Sequence, residues 1–84
     1  MNTSANKVIY STIATKVIIT NGDLVVSLED GRKISVPVHH FTRLENATEQ
    51  QRSKYKICYG GKTIRGEEID EDISVPRLLG VDED

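Results

Sequence analysis

Apolar and polar residues alternate through the first half of the chain, and this period of two is typical of strands with one buried face. Asn21-Gly22 fits a two-residue hairpin turn because both residues tolerate positive φ, and Asp30-Gly31 repeats the signal. The pattern predicts a three-stranded antiparallel meander over residues 15–36. The predicted strands are Thr15–Thr20, Leu24–Glu29 and Lys33–Val36.

After Pro37 the apolar spacing becomes helical. It predicts a short helix over residues 38–45 that Asn46 ends in a left-handed conformation. Thr48-Glu49-Gln50-Gln51 has the pattern of a capping box, in which the Thr48 and Gln51 side chains each bond the other residue's N–H. This predicts a second short helix, from Glu49 to about Ser53.

The remaining third predicts one hairpin and one helical turn. Tyr55, Ile57 and Tyr59 alternate with polar residues, which predicts core aromatics on a β-hairpin over 55–65 that turns at Gly60-Gly61. Ser74 is a candidate cap for a helical turn over residues 74–79, with Gly80 past its end.

The predicted order is β-β-β-α-α-β-β-α, an α+β domain. We expect a partly disordered N-terminal segment (1–14), a single α+β domain (15–80) and an acidic tail (81–84). The predicted core residues are Val17, Ile19, Leu24, Val26, Leu28, Ile34, Val36, Phe41, Leu44, Ile57, Leu78 and Leu79.

Composition limits the class of protein. With 84 residues, 37% of them apolar and 29% charged, the chain can form one soluble domain with a thin core. Cys58 is the single cysteine, so no internal disulfide forms, and a reducing, cytoplasmic location is expected. No apolar run reaches the ~20 residues of a membrane span.

Motifs that carry chemistry are absent from the sequence. Adjacent helical histidines, such as His39 and His40, point about 100° apart and cannot hold one ion. Cys58 lacks a paired histidine motif, and Gly60-Gly61 lacks the spacing of a phosphate loop. We therefore predict no enzyme, with no catalytic, cofactor-binding or metal-binding residues.

Charge is distributed unevenly. Residues 67–84 contain eight acids and one base, whereas residues 1–66 contain five acids and ten bases. An acidic run flanked by Ile69 and Ile73 suggests exposed carboxylates on an anchored segment, which could meet a basic partner. The alternative is that Asp72 or Ser74 only caps the following helix. The candidate partner-binding residues are Glu67, Glu68, Asp70 and Glu71.

The acidic run Asp70-Glu71-Asp72 continues into Ile73-Ser74-Val75, and this segment is the most specific motif in the chain. It resembles the bacterial and phage family called domain of unknown function 2442, although Gly66-Glu67 departs from the aromatic residue and proline common before it. Further residues that match the family are Asp30-Gly31-Arg32, Ile34–Pro37, Phe41, Arg43-Leu44, Ala47-Thr48, Gln51-Arg52 and Leu78-Leu79.

The resemblance implies an antitoxin-like role beside a second small family, domain of unknown function 4160, and no catalytic residues. We therefore expect a non-enzymatic protein-interaction module with a toxin-like neighbouring gene product as partner and a homodimer through an edge strand. One alternative is a nucleic-acid-associated transcriptional regulator that uses the basic residues of 1–66. Tyr55 and Tyr59, which lysines flank, could also stack on single-stranded nucleic acid. A second alternative is an acidic phage-type inhibitor that mimics phosphate.

Overall fold

The structure, a computed structural model, describes residues 11–80. Two antiparallel three-stranded sheets and three short helices form an α+β fold, which confirms the predicted class. The strands are β1 (Ala14–Thr20), β2 (Asp23–Leu28), β3 (Lys33–Pro37), β4 (Tyr55–Cys58), β5 (Thr63–Gly66) and β6 (Glu71–Ser74). The helices are α1 (Thr42–Glu45), α2 (Glu49–Arg52) and α3 (Val75–Leu78). The residues predicted as a frayed N-terminus and an acidic tail lie mostly outside the described range.

The first sheet is the predicted meander, in the order β1-β2-β3. Val17 pairs with Val26, and Val26 pairs with Ile34, so one face of the sheet carries aliphatic side chains toward the core. Asn21 and Gly22 have φ values of 51° and 78°, as a type I′ turn requires. The hydrophobic pattern thus fixes the strands and their register from Lys16 onward, whereas a bulge shifts the pairing of β1 with β2 between Ala14 and Lys16.

The turn at Asp30-Gly31 is not the second two-residue hairpin turn that the sequence predicts. Only Gly31 has positive φ, 96°. Its N–H donates to Leu28 O at 3.0 Å, while the Leu28 N–H donates to Arg32 O at 2.8 Å. This is a three-residue loop with a glycine bulge, in which Asp30 is free to use its side chain elsewhere.

The Asp30 carboxylate ties the start of the described chain to the β2–β3 loop. It accepts hydrogen bonds from the Ser11 N–H at 2.7 Å and the Arg32 N–H at 3.0 Å, and Arg32 Nε lies 3.0 Å away. The bond from Ser11 and then that from Arg32 lower the pKa of Asp30 below its ordinary value of 3.8.

Replacing Asp30 by alanine should lower the melting temperature at pH 7. Because the folded pKa is depressed, the stabilisation is fully present above pH ~3.9 and is lost as the pH falls through the folded pKa. The difference from wild type in thermal unfolding should therefore shrink toward pH 2. Thr42→Ala, which removes an exposed, non-titrating hydroxyl from α1, is the control and should show no such dependence. A pH-independent effect of Asp30→Ala would contradict the role given to the carboxylate.

The single helix predicted over residues 38–45 is wrong. A 3₁₀ turn covers Val38–His40, Phe41 is extended at φ −126° and ψ 100°, and α1 follows. Val38 and Leu44 are both buried. Six residues apart on one continuous helix they would lie about 120° apart, so the break at Phe41 allows both to face the core. Asn46 is right-handed at φ −86°, not left-handed as predicted.

The second predicted helix is confirmed as α2, with its capping box. The Gln51 N–H donates to Thr48 Oγ1 at 3.1 Å, and the Thr48 N–H donates to Gln51 Oε1 at 2.9 Å. Arg52 then donates from Nε to Leu44 O at 3.1 Å and from Nη2 to Glu45 O at 2.9 Å. Arg52 therefore covers the last carbonyls of α1 and holds the two helices together.

The second sheet contains a strand that the sequence did not predict. Its order is β4-β5-β6, so the expected hairpin is extended by β6. Ile64 of β5 pairs with Ile57 on one side and Ile73 on the other. Residues 71–74 did not look like a strand because two of the four are acidic, and acids are depleted in strands.

The buried residues of the core within 11–80 are all apolar, and they come from both sheets. Leu24, Val26, Leu28 and Leu44 are buried as predicted, whereas most other predicted members are half-buried around them. Phe41 is one of the half-buried residues, and Val36 lines a surface groove. The buried residues absent from the predicted core are Ala14, Val38, Ile64 and Val75, together with Ile73, which was expected to be turned inward only as an anchor of the acidic run.

Candidate protein-binding surface

The acidic run lies on the turn between β5 and β6 and on β6 itself, at the edge of the second sheet. Ile69 packs against the core and Ile73 is 3% exposed, so the two isoleucines anchor the segment as predicted. Asp70 turns the chain with φ 53°. Side chains before and after this turn are thereby presented to solvent along one border of the sheet.

Each exposed acid of the run faces a basic side chain from another element. Glu67 Oε2 lies 3.0 Å from Lys56 Nζ, and Asp70 Oδ2 lies 3.7 Å from Arg43 Nη1. Arg43 also donates to the Asp70 carbonyl at 2.6 Å. The other two pairs are Glu68 with Lys54 and Asp72 with Arg65.

These four pairs form a mixed-charge surface of four acids and four bases. The side chains remain substantially exposed, and ion pairs of this kind stabilise a fold by only about 0–1 kcal/mol each. Their alternating charges can instead orient a partner protein whose surface charges are arranged in the complementary pattern. The uneven charge along the sequence is therefore largely balanced in space over residues 67–72.

Glu71 differs from its neighbours because it is half-buried and lies opposite Gly66. The Tyr55 ring covers this glycine: a Cβ on Gly66 would come within 2.8 Å of Tyr55 Cζ. Burial, followed by the negative charge of Glu71, raises the pKa of Tyr55 well above its ordinary value. Tyr55 is thus a neutral, half-buried support beneath the start of β6.

Ser74, and not Asp72, caps α3. The Arg77 N–H donates to Ser74 Oγ at 3.3 Å, and Gly80 past the helix has φ 76°. Asp72 lies inside β6 opposite Arg65, and its Oδ2 lies 3.6 Å from Arg65 Nη1. The capping role predicted for Asp72 is therefore wrong, and the exposed carboxylate belongs to the mixed-charge surface.

An open groove of about 570 Å³ borders β6. It is lined by residues of β3 and β6 together with Phe41 and Leu78, so its walls include the outer edges of two strands. Asp72 and Arg77 lie at its polar border. Unpaired strand edges present backbone N–H and C=O groups, which can hydrogen-bond to an extended segment of another protein.

The other candidate residues are not gathered into a site. The His39 and His40 rings make an edge-to-face contact with centroids 4.8 Å apart, and Cys58 is a half-buried free thiol. Tyr59 is 73% exposed, so its predicted place among core aromatics is wrong. Within residues 11–80, no group of three metal-ligating side chains is positioned to hold an ion. No helix in this range is long and apolar enough to span a membrane.

Sequence reasoning found the acids of the site but not their basic partners. Arg43 lies on α1 and Arg65 lies on β5. Lys56 lies in β4, and Lys54 directly precedes that strand. The sequence does contain one indication of these pairs. A hairpin over residues 55–65 brings its two ends together, so Lys54 and Lys56 at its start come close to Glu67 and Glu68 just after its end.

Comparison with known proteins agrees with this architecture. The family model described as Protein of unknown function (DUF2442) matches residues 14–82. The chain belongs to this family. A similar solved structure is a protein of unknown function from Rhodospirillum rubrum ATCC 11170, with 27% identity and a TM-score of 0.73. The match covers 86% of this chain and 90% of that chain. No curated protein matches.

Proposed function

We propose that this DUF2442 protein is a non-enzymatic, antitoxin-like interaction module that binds a protein partner in the cytoplasm. The observation that carries the proposal is the placement of the mixed-charge surface on an edge strand, β6, beside an open groove. Such a surface offers backbone hydrogen bonds, apolar contact and charge pattern together, which are the elements of strand-mediated recognition.

The ion pairs favour a protein partner over the alternatives. Lys54 and Lys56, which flank Tyr55, each lie beside a glutamate, so the positive potential that a track for nucleic acid needs is reduced there. The same pairing reduces the negative field that a phosphate mimic needs, because the exposed acids from Glu67 to Asp72 face cations. A partner protein with a complementary mixed pattern fits this surface better.

The test uses a purified member of the domain of unknown function 4160 family and isothermal titration calorimetry. We expect binding by the wild type and at least tenfold weaker binding when Asp70 and Glu71 are both replaced by lysine. Association should also slow, and the effect should be greater at low salt, because charge pattern acts on encounter. Unchanged affinity of the double variant would remove the acidic run from the interface.

The matched control is Glu45→Lys with Glu49→Lys, which reverses two exposed charges on α1 and α2 instead. It should bind within about twofold of wild type. Circular dichroism should show that both double variants are folded, although Asp70→Lys with Glu71→Lys should lower the melting temperature because Asp70 has positive φ and Glu71 is half-buried. Affinities are therefore compared well below both melting temperatures. If the wild type does not bind the probe, the antitoxin-like part of the proposal is wrong.

A further inference from the structure

The chain contains the tetrapeptide Ile-Ser-Val-Pro twice, at residues 34–37 and 73–76. Each copy begins in the third strand of a three-stranded antiparallel meander, β3 in the first sheet and β6 in the second. The middle row of paired residues is aliphatic in both sheets: Val17, Val26 and Ile34 in the first, and Ile57, Ile64 and Ile73 in the second. The two sheets are therefore two versions of one unit, in which β3 is the counterpart of β6.

The outer edge of β3 carries backbone groups that point away from its own sheet. At one end of the β2–β3 pairing the Val38 N–H donates to Gly22 O at 2.9 Å. At the other end the Leu28 N–H donates to Arg32 O at 2.8 Å. Hydrogen-bonded and non-hydrogen-bonded pairs alternate along an antiparallel ladder. Counted from either end, Ser35 falls in a non-hydrogen-bonded pair, so its N–H and C=O point away from β2.

The outer edge of β6 has the same property at Asp72. The Val75 N–H donates to Lys62 O at 2.9 Å, just beyond the β5–β6 pairing. The alternation places Ile73 in the next hydrogen-bonded pair and Asp72 between them, so the N–H and C=O of Asp72 point away from β5. Ser35 and Asp72 both line the open groove that borders β6. The groove therefore has an outward-directed strand edge on each side.

The groove has the dimensions of one short strand. Its volume is about 570 Å³. A residue in a sheet occupies roughly 160 Å³, from a rise of ~3.3 Å, a strand spacing of ~4.8 Å and a sheet thickness of ~10 Å. The groove thus holds between three and four residues of a single extended segment.

The two faces of such a segment meet different surroundings. The apolar lining of the groove comes from Val36, Phe41 and Leu78, of which the last two pack against the core. On the outer face Asp72 is exposed, and its neighbour across the sheet is Arg65, with 3.6 Å between Oδ2 and Nη1. Opposite charges on neighbouring strands are favourable and like charges are not, so a base is favoured on the other side of Asp72.

We propose that the groove binds an extended segment of the protein partner, inserted between β3 and β6. Its apolar side chains lie on Phe41 and Leu78, and a lysine or arginine of the segment lies beside Asp72. This inference rests on the proposed function and specifies which part of the partner β6 recognises. It adds β3 as a second edge, so main-chain hydrogen bonds come from both sides and alternate side chains give specificity.

The test is an NMR titration of the ¹⁵N-labelled protein with two synthetic peptides, up to about 10 mM, a range that covers weak binding. The peptides are acetyl-Thr-Val-Lys-Val-Thr-amide and the same peptide with glutamate in place of lysine. The lysine peptide should cause saturable shift changes at the amides of both Ser35 and Asp72. The glutamate peptide should bind at least fivefold more weakly, because its acid then faces Asp72.

Ser35→Pro should abolish binding of the lysine peptide, since it removes the outward N–H and places a ring in the groove. Proline is tolerated on an edge strand where the N–H faces outward. Ser35→Ala keeps that N–H and is the matched control, which should bind within about twofold of wild type. Asp72→Asn leaves the edge intact and should bring the affinities of the two peptides within about twofold of each other. Circular dichroism should show that each variant is folded.

The absence of saturable changes with the lysine peptide, or changes at Asp72 without changes at Ser35, would overturn insertion between the two edges. Equal affinity of wild type for the two peptides would overturn the charge assigned to the segment. These outcomes are separate from the test of the proposed function, which uses the domain of unknown function 4160 protein. If that protein binds and the peptides do not, recognition uses the mixed-charge surface without the groove. If only the lysine peptide binds, the groove is assigned correctly and the proposed partner is wrong.

Discussion

Replacement of Gly61 by alanine should remove about 2–5 kcal/mol from the free energy of unfolding. Gly61 has φ 91° and is buried at the turn between β4 and β5. A Cβ there would lie 2.5 Å from Ile13 Cγ2 and 2.8 Å from Ala14 O, and the carbonyl cannot move without displacing β1. The left-handed backbone costs about 1–2 kcal/mol and the overlap a further ~1–3 kcal/mol.

Gly60→Ala is the control for this prediction. Gly60 also has positive φ, 64°, but a Cβ there would meet nothing within 4 Å. Its replacement should cost only the backbone part, about 1–2 kcal/mol. Urea unfolding at pH 7 measures both variants. Equal losses would show that the close approach of the turn to β1 does not contribute to stability.

Truncation of Ile64 to alanine should cost about 2–5 kcal/mol, a large share of the stability of so small a domain. Ile64 is fully buried on the central strand of the second sheet, between Ile57 and Ile73. The loss combines the transfer of apolar surface with a cavity that three paired strands cannot close by a small shift.

Ile18→Ala makes the same chemical change at an exposed position and should cost less than about 1 kcal/mol when measured at low protein concentration. Chemical denaturation of the two variants gives the comparison directly. A loss below about 1 kcal/mol for Ile64→Ala would mean that β5 is not the centre of a packed sheet.

The first sheet was predictable because its determinants are local. Alternation sets which face of each strand is buried, and Asn21-Gly22 sets the first turn, so pattern and turn agree on one register. The same holds for the capping box of α2, whose two hydrogen bonds join residues three apart. Short-range chemistry of this kind can be seen in a sequence without knowledge of what packs against it.

The break at Phe41 and the strand β6 were not predictable in this way. Helical spacing of Val38, Phe41 and Leu44 is satisfied by one helix, and only the position of the core shows that Val38 and Leu44 must face the same side. β6 has two acids in four residues, and its strand conformation depends on pairing with β5. Tertiary pairing overrides the low strand propensity of the acids there.

For a related reason, the acids of the mixed-charge surface could be predicted from the sequence, but its basic residues could not. The exposed acids and their isoleucine anchors follow from the order of residues in one short segment. Their basic partners come from α1 and the second sheet, so the near-balance of charge arises only when the chain is folded. A linear count of charges over residues 67–84 therefore overstates the negative field of this surface.

The most direct test of recognition through β6 is an NMR titration of the ¹⁵N-labelled protein with the domain of unknown function 4160 protein. The mixed-charge surface on an edge strand predicts the largest amide shift changes from Glu67 to Ser74, with smaller ones at Arg43 and Arg65. Amides of β1 should be unaffected at a concentration where the protein is monomeric. Saturable changes confined to residues outside β6 and its preceding turn would contradict recognition through this edge.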